Sequence, residues 1–134
     1  MATIFTRIID GELPGRFVYA DDRCVAFLSV NPLRPGHTLV VPRTEVDHWI
    51  DLDAGEWQHL TQVARHLGAA LQHAFEPAKV GMMLAGLEVP HVHIHLVPID
   101  GIHDLDFDNV DRNPADEDLD EAAERIRTAV AALQ

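Results

Sequence analysis

Apolar and polar positions alternate strictly over His91-Val92-His93-Ile94-His95-Leu96-Val97, and Pro98 ends the run. Period two is that of a β-strand, so the segment His91–Pro98 is predicted as one. One face then carries three imidazoles and the other carries Val92, Ile94 and Leu96. Phe17–Tyr19, Cys24–Leu28, His37–Val41 and Val80–Leu84 read as four more strands. Ala20-Asp21-Asp22-Arg23 forms a hairpin loop between the first two, and Asn31-Pro32-Leu33-Arg34-Pro35-Gly36 a rigid loop before the third. The period changes after Asp53. Leu60, Val63, Ala64, Leu67, Leu71 and Ala74 form one helical stripe, with Asp53 as the N-cap and Glu56 as its capping-box partner. That helix should stop at Phe75, before Pro77. Ile4–Ile9 reads as a brief opening helix, ended by the turn at Gly11, Pro14 and Gly15. A last helix is predicted from Asn113-Pro114 through Ala122, Ile126, Val130 and Leu133. Strands and helices do not alternate regularly, which favours an α+β fold with an antiparallel sheet.

Length places all of this in a single domain over residues 1–134. No apolar run approaches the roughly 18 residues of a membrane helix, and Met1–Asp10 lacks the pattern of a secretory leader. Cys24 is the only cysteine, so no disulfide forms within the chain and a cytoplasmic setting is expected. Among Val25, Ala26, Phe27 and Leu28 it reads as buried filler. The net charge is −12, and it is uneven: residues 1–99 hold 11 acids and 7 bases, residues 100–134 hold 11 acids and 3 bases. Such a surface repels nucleic-acid backbones, and no membrane partner is expected. The acidic segment after Pro98 is expected to be surface-exposed.

The three alternating histidines carry the candidate chemistry. As metal ligands, His91 and His95 lie ~13 Å apart along a strand and cannot share one ion; any metal needs a further ligand from elsewhere. As a catalytic set, one ring attacks while its neighbours orient it and bind an anion. A solvated strand face is the plain alternative. His59, His66 and His73 recur every seven residues, ~10 Å along a helix axis, too far apart to chelate; they should line a helix edge, as at a subunit contact. His48 and His103 read as surface residues. His37 follows Pro35-Gly36, where a turn could aim it into a pocket.

His91-Val92-His93-Ile94-His95-Leu96-Val97 resembles the His-φ-His-φ-His-φ-φ signature of the histidine triad (HIT) nucleotide hydrolases and transferases. The likeness runs on through Ile4-Phe5-Thr6-Arg7-Ile8-Ile9-Asp10-Gly11-Glu12-Leu13-Pro14, Val18-Tyr19, Asp21-Asp22, Ala26-Phe27 and Pro35-Gly36-His37-Thr38-Leu39-Val40-Val41-Pro42-Arg43. The acidic stretch leading into Glu117–Ala132 is similar to the bacterial members. This resemblance implies a five-stranded antiparallel sheet and a homodimer. It also implies hydrolysis at the α-phosphorus of a nucleotide derivative, either a phosphoramidate or a dinucleoside polyphosphate. His93 would form a covalent nucleotidyl-histidine, with a backbone carbonyl near His91 holding its Nδ1 proton. His95 and His37 would contact phosphate oxygens and the leaving group. Ser29, Gly86, Leu28, Phe5, Ile9 and Glu88 would bind the nucleotide, a purine, and no cofactor is required.

Three departures stand out. Many bacterial relatives carry Cys-Ile-Phe-Cys and a further histidine that bind structural zinc together with the first triad histidine; here those positions are Thr3-Ile4-Phe5-Thr6 and Glu45, so no metal is expected. The loop before the triad reads Gly86-Leu87-Glu88-Val89-Pro90 where relatives place an amide and a hydroxyl, and Glu88 would repel an anion if it pointed inward. Ser29 stands where relatives hold the ribose with Asp or Asn, and offers a weaker contact. These replacements feed an alternative function, a nucleotide-binding regulatory protein with weak or no catalysis. A metalloprotein using His-x-His is the third reading.

Overall fold

The computed structural model describes residues 2–133. Helix α1 (Ile4–Ile9) opens on Thr3, whose hydroxyl accepts the Thr6 N–H at 3.2 Å as an N-cap. Strands β1 (Phe17–Ala20) and β2 (Cys24–Leu28) form a hairpin. Its turn is built on Asp21, whose Oδ1 accepts the N–H groups of Arg23 and Cys24, both at 2.8 Å. Strand β3 (Thr38–Pro42) pairs along the whole of β2. The loop between them needs Gly36 in the left-handed region (φ +94°), with Phe75 packed where a side chain would stand.

Helix α2 (Ala54–Phe75) starts on Asp53, which accepts the Gly55 N–H at 3.0 Å. Glu56 closes no box; its carboxylate pairs with Arg23 instead, at 3.6 Å. The helix ends where expected, on Glu76 in a left-handed cap (φ 49°). Strands β4 (Lys79–Met83) and β5 (Ile94–Ile99) follow, then helix α3 (Asp116–Leu133). The sheet is antiparallel throughout, in the order β1-β2-β3-β5-β4.

Side-chain parity divides the sheet into two faces. Ala26, Leu28, Val40, Val92, Ile94 and Leu96 pack against α2 and α3 through Leu60, Leu67, Leu71, Leu119 and Ile126. Val25, Phe27, Leu39 and Val41 face the other way, against Phe5 and Ile8 of α1. His91, His93 and His95 alternate with Val92, Ile94 and Leu96, and so do not enter the helix-side core.

Two expectations are corrected here, the starts of β5 and of α3. The ladder begins at Ile94, not His91. Before it, the Val92 N–H donates to the Val46 carbonyl at 2.8 Å, so the first half of the triad is extended chain tied to the loop after β3. Helix α3 starts at Asp116, two residues after Pro114. The acidic segment after Pro98 is largely exposed, as expected, and forms two 3-10 turns, Ile102–Leu105 and Phe107–Asn109, with Asp104 as the exception. Asp104 is buried, accepts the N–H groups of Asp100 and Gly101, and pairs with Arg34 at 2.7 Å.

Candidate active site

Three fixed backbone groups determine where the protons sit on the buried histidines. The Leu33 N–H donates to His37 Nδ1 at 3.0 Å, so His37 carries its proton on Nε2. That proton is donated to His95 Nδ1 at 2.9 Å, which leaves His95 with an Nε2–H. This Nε2 is buried and has no hydrogen-bond partner among the described residues. Burial, reinforced by neighbouring rings, pushes the His37 pKa down to about 3 and the His95 pKa down to about 4. Both are neutral at pH 7.

His93 is set the opposite way. Its Nδ1–H donates to the His91 carbonyl at 2.7 Å, and the lone pair is left on Nε2. The resemblance implied such a carbonyl near His91, and the hydrogen bond is present. His91 itself is fully buried and both its nitrogens are engaged. Its Nε2–H donates to the Pro42 carbonyl at 2.7 Å, and its Nδ1 accepts the Thr3 hydroxyl at 2.7 Å. Burial lowers the His91 pKa too. His91 thus has no free ring nitrogen, while His93 Nε2 offers a free lone pair and His95 Nε2 a hydrogen-bond donor side by side.

Glu88 does point inward. Its Oε1 lies 3.5 Å from His93 Nε2 and 3.8 Å from His95 Nε2. Gly86, at the start of this loop, has φ +75°, and a Cβ there would stand 3.8 Å from the Asp47 carbonyl oxygen. The Phe5 ring stands edge-on to His93, with centroids 4.8 Å apart, and Phe107 does the same to His95 at 5.2 Å. Ile9 is half-buried against the Phe5 cluster. Ser29 sits at the His37 end of the sheet; its N–H donates to the His37 carbonyl at 3.0 Å.

Leu28 is not brought to the nucleophile. It lies in the helix-side core, where it lines a cavity of about 430 Å³ with Leu33, Phe75, Leu119 and Arg125 that reaches Ser29 and His37 but none of His91, His93 and His95. His59 also differs from expectation, since it pairs with Asp21 at 2.8 Å and does more than line an edge. His48 and His103 are surface residues, as expected. Cys24 is buried, and its thiol is pushed up to about 12, first by burial and then by Asp21. Leu33 and Phe107 escaped the reading of the sequence. A backbone N–H carries no sequence signal; the lone aromatic in the acidic run was the available hint for Phe107.

Thr3, Thr6, Glu45 and His91 meet in space. Glu45 Oε1 accepts the Thr3 N–H and the Thr6 hydroxyl, each at 2.7 Å. These donors do not fit zinc. Hydroxyls stand in for thiolates, and both His91 nitrogens are already committed.

An α+β subunit with one five-stranded antiparallel sheet, and three alternating histidines at its centre, defines a histidine triad domain. The sequence model of the HIT domain matches residues 10–102. The chain belongs to the HIT domain family, which includes nucleotide hydrolases. It is 36% identical over 100 residues to an uncharacterised HIT-like protein of Saccharolobus solfataricus, covering 71% of this chain and 72% of that one. It is 34% identical over 93 residues to the bifunctional bis(5'-adenosyl)-triphosphatase/adenylylsulfatase of Arabidopsis thaliana, covering 66% and 52%. Among solved structures, a HIT-like protein of Bartonella henselae superimposes with a TM-score of 0.82 at 29% identity, covering 95% of each chain. A zinc-bound histidine triad protein of Mycobacterium smegmatis shares the fold, with a TM-score of 0.85 at 24% identity over 99% and 96% of the chains. No helix among the described residues is long and apolar enough to cross a membrane.

Proposed function

We propose that this protein hydrolyses a nucleotide derivative at its α-phosphorus through a covalent intermediate on His93. The observation that carries this reading is the pair of opposite tautomers: a free lone pair on His93 Nε2 beside an unpartnered N–H on His95 Nε2. A neutral imidazole attacks near pH 7 without a separate base. In the first step the Nε2 lone pair forms the N–P bond, and the bond from phosphorus to the leaving atom breaks. The leaving atom keeps the electron pair, receives a hydrogen bond from His95, and takes its proton from solvent. In the second step water adds to phosphorus, the N–P bond returns its pair to Nε2, and the water's proton goes to solvent. The products are a nucleoside monophosphate and the protonated leaving group.

Phe5, Ile9, Ser29 and Gly86 are the groups proposed to hold the nucleotide, a purine. The Arabidopsis relative is named for cleaving bis(5'-adenosyl) triphosphate, and this supports an adenylyl substrate. The same reading makes the protein a cytoplasmic homodimer that binds neither nucleic acid nor membrane and uses no cofactor. A second reading, nucleotide binding with little turnover, is favoured by Glu88, whose carboxylate stands where a phosphoryl group would approach.

Intact-protein mass spectrometry, quenched during incubation with an adenosine phosphoramidate, separates the two. A mass gain of one nucleoside monophosphate with released product, absent in His93→Ala, is the expected result. Binding by titration with neither adduct nor product overturns hydrolysis in favour of the second reading.

A further inference from the structure

Among the described residues, the Glu88 carboxylate is the one acidic group within 4 Å of the His93 and His95 Nε2 atoms. Its side chain is 58% exposed whereas both rings are buried, so it connects the two Nε2 atoms to solvent. A reacting phosphorus approaches its nucleophile to about 3–3.5 Å. Glu88 Oε1 is 3.5 Å from that nucleophile, so a bound phosphoryl group and whatever it carries must lie beside the carboxylate. His95 is neutral at pH 7 and donates a hydrogen bond without supplying a countercharge. A polyphosphate leaving group would bring several negative charges against Glu88. An amine leaving group departs as its protonated form, and the carboxylate favours that positive charge.

Building on the hydrolase reading above, we propose that Glu88 is a charge filter. It selects nucleotide conjugates whose leaving group is neutral or cationic, an amine above all, and rejects polyphosphates. At separations of 4–5 Å beside a partly solvated carboxylate, each unit of leaving-group charge should change kcat/KM by about tenfold.

The test compares three adenylyl substrates in the native protein and in Glu88→Gln: a phosphoramidate of an amine bearing a second ammonium group, one of a neutral amine, and diadenosine triphosphate. The native protein should prefer them in that order. Glu88→Gln should raise the polyphosphate relative to the neutral amine by about tenfold or more, and lower the advantage of the cationic one. Glu88→Asp, which keeps the charge, should preserve the order. Equal changes for all three substrates in Glu88→Gln overturn the filter. If neither protein turns over any of them, the hydrolase reading fails, and the filter is read from calorimetric dissociation constants for adenosine, AMP and ATP. Tightening in Glu88→Gln that grows from adenosine to ATP supports it, and a uniform change overturns it.

Discussion

Removing one hydroxyl, in Thr3→Val, should weaken both the fold and the nucleophile. The Thr3 hydroxyl donates to His91 Nδ1 at 2.7 Å and accepts the Thr6 N–H at 3.2 Å. Valine keeps the volume and removes both bonds. The first loss leaves an acceptor without its partner on a fully buried ring, which costs about 1–3 kcal/mol. The second removes the cap of a six-residue helix, worth about 1 kcal/mol. A total of about 3 kcal/mol lowers Tm by roughly 10 °C in a domain of this size. The effect should reach His93, because its Nδ1 is held by the carbonyl of the same His91. A rise of 1.4 kcal/mol in the barrier slows adduct formation about tenfold. Urea unfolding of Thr3→Val and Thr3→Ser measures the first effect, and single-turnover adduct formation the second. Serine retains the hydroxyl and should lie within about 1 kcal/mol of the native protein. A valine variant within about 0.5 kcal/mol of native, or a serine variant that loses as much as valine, would refute the role given to this hydroxyl.

The buried histidines set an acid limit on stability. His37 and His95 titrate near 3 and 4 when folded and near 6.5 when unfolded, so the unfolded chain binds more protons between those values and stability falls as pH drops below about 6.5. At pH 5 each should cost about 2 kcal/mol, read from urea midpoints between pH 7.5 and 4.5. Gly36→Ala should lose more than about 2 kcal/mol in the same assay, since φ is +94° and the new methyl group would stand 2.7 Å from the Phe75 ring. Asp21→Asn should lose about 1–2 kcal/mol, because an amide N–H₂ would then face the Tyr19 hydroxyl or His59. Burial works to raise the Asp21 carboxyl, but the Arg23 and Cys24 N–H groups outweigh it and hold it well below the usual range. Its contribution is therefore complete above about pH 4 and fades below, and the asparagine variant should lack that acid-dependent part.

Local pattern was enough for most elements. Cys24–Leu28 and Ile4–Ile9 form as their periodicity predicts, and α2 ends at Phe75 because Pro77 forbids another turn. What local pattern could not show are contacts made across the chain. The strand expected at His91 begins at Ile94 because the Val92 N–H goes to Val46, a partner in another loop. Glu56 fits a capping box, yet Arg23 on the β1–β2 hairpin reaches it first. The heptad spacing of His59, His66 and His73 gave no sign that Asp21 would turn toward one of them. Leu28 could have been placed by parity alone. It alternates with Phe27, and Phe27 shares a cluster with Phe5 on the nucleophile's side, so Leu28 must face the helices.

The candidate site depends on a distinction that the strand itself cannot make. His93 and His95 are two residues apart on one face, with ring centroids 4.9 Å apart, and a strand treats them alike. Their opposite tautomers come from groups outside the ladder. A carbonyl at His91 takes the proton of His93 Nδ1, and an N–H at Leu33, acting through His37, places the proton of His95 on Nε2. The same chain bears on metal binding. Glu88, His93 and His95 bring three donor atoms within 4.8 Å of one another, close enough for one cation. Ligation by His95 Nε2 would move its proton to Nδ1, where it meets His37 Nε2–H. His37 would then have to carry its proton on Nδ1, against the Leu33 N–H that cannot be reversed. A cation at these three residues must break that relay, whereas the phosphoryl group of the proposed reaction would use the His93 lone pair and the His95 N–H as they stand.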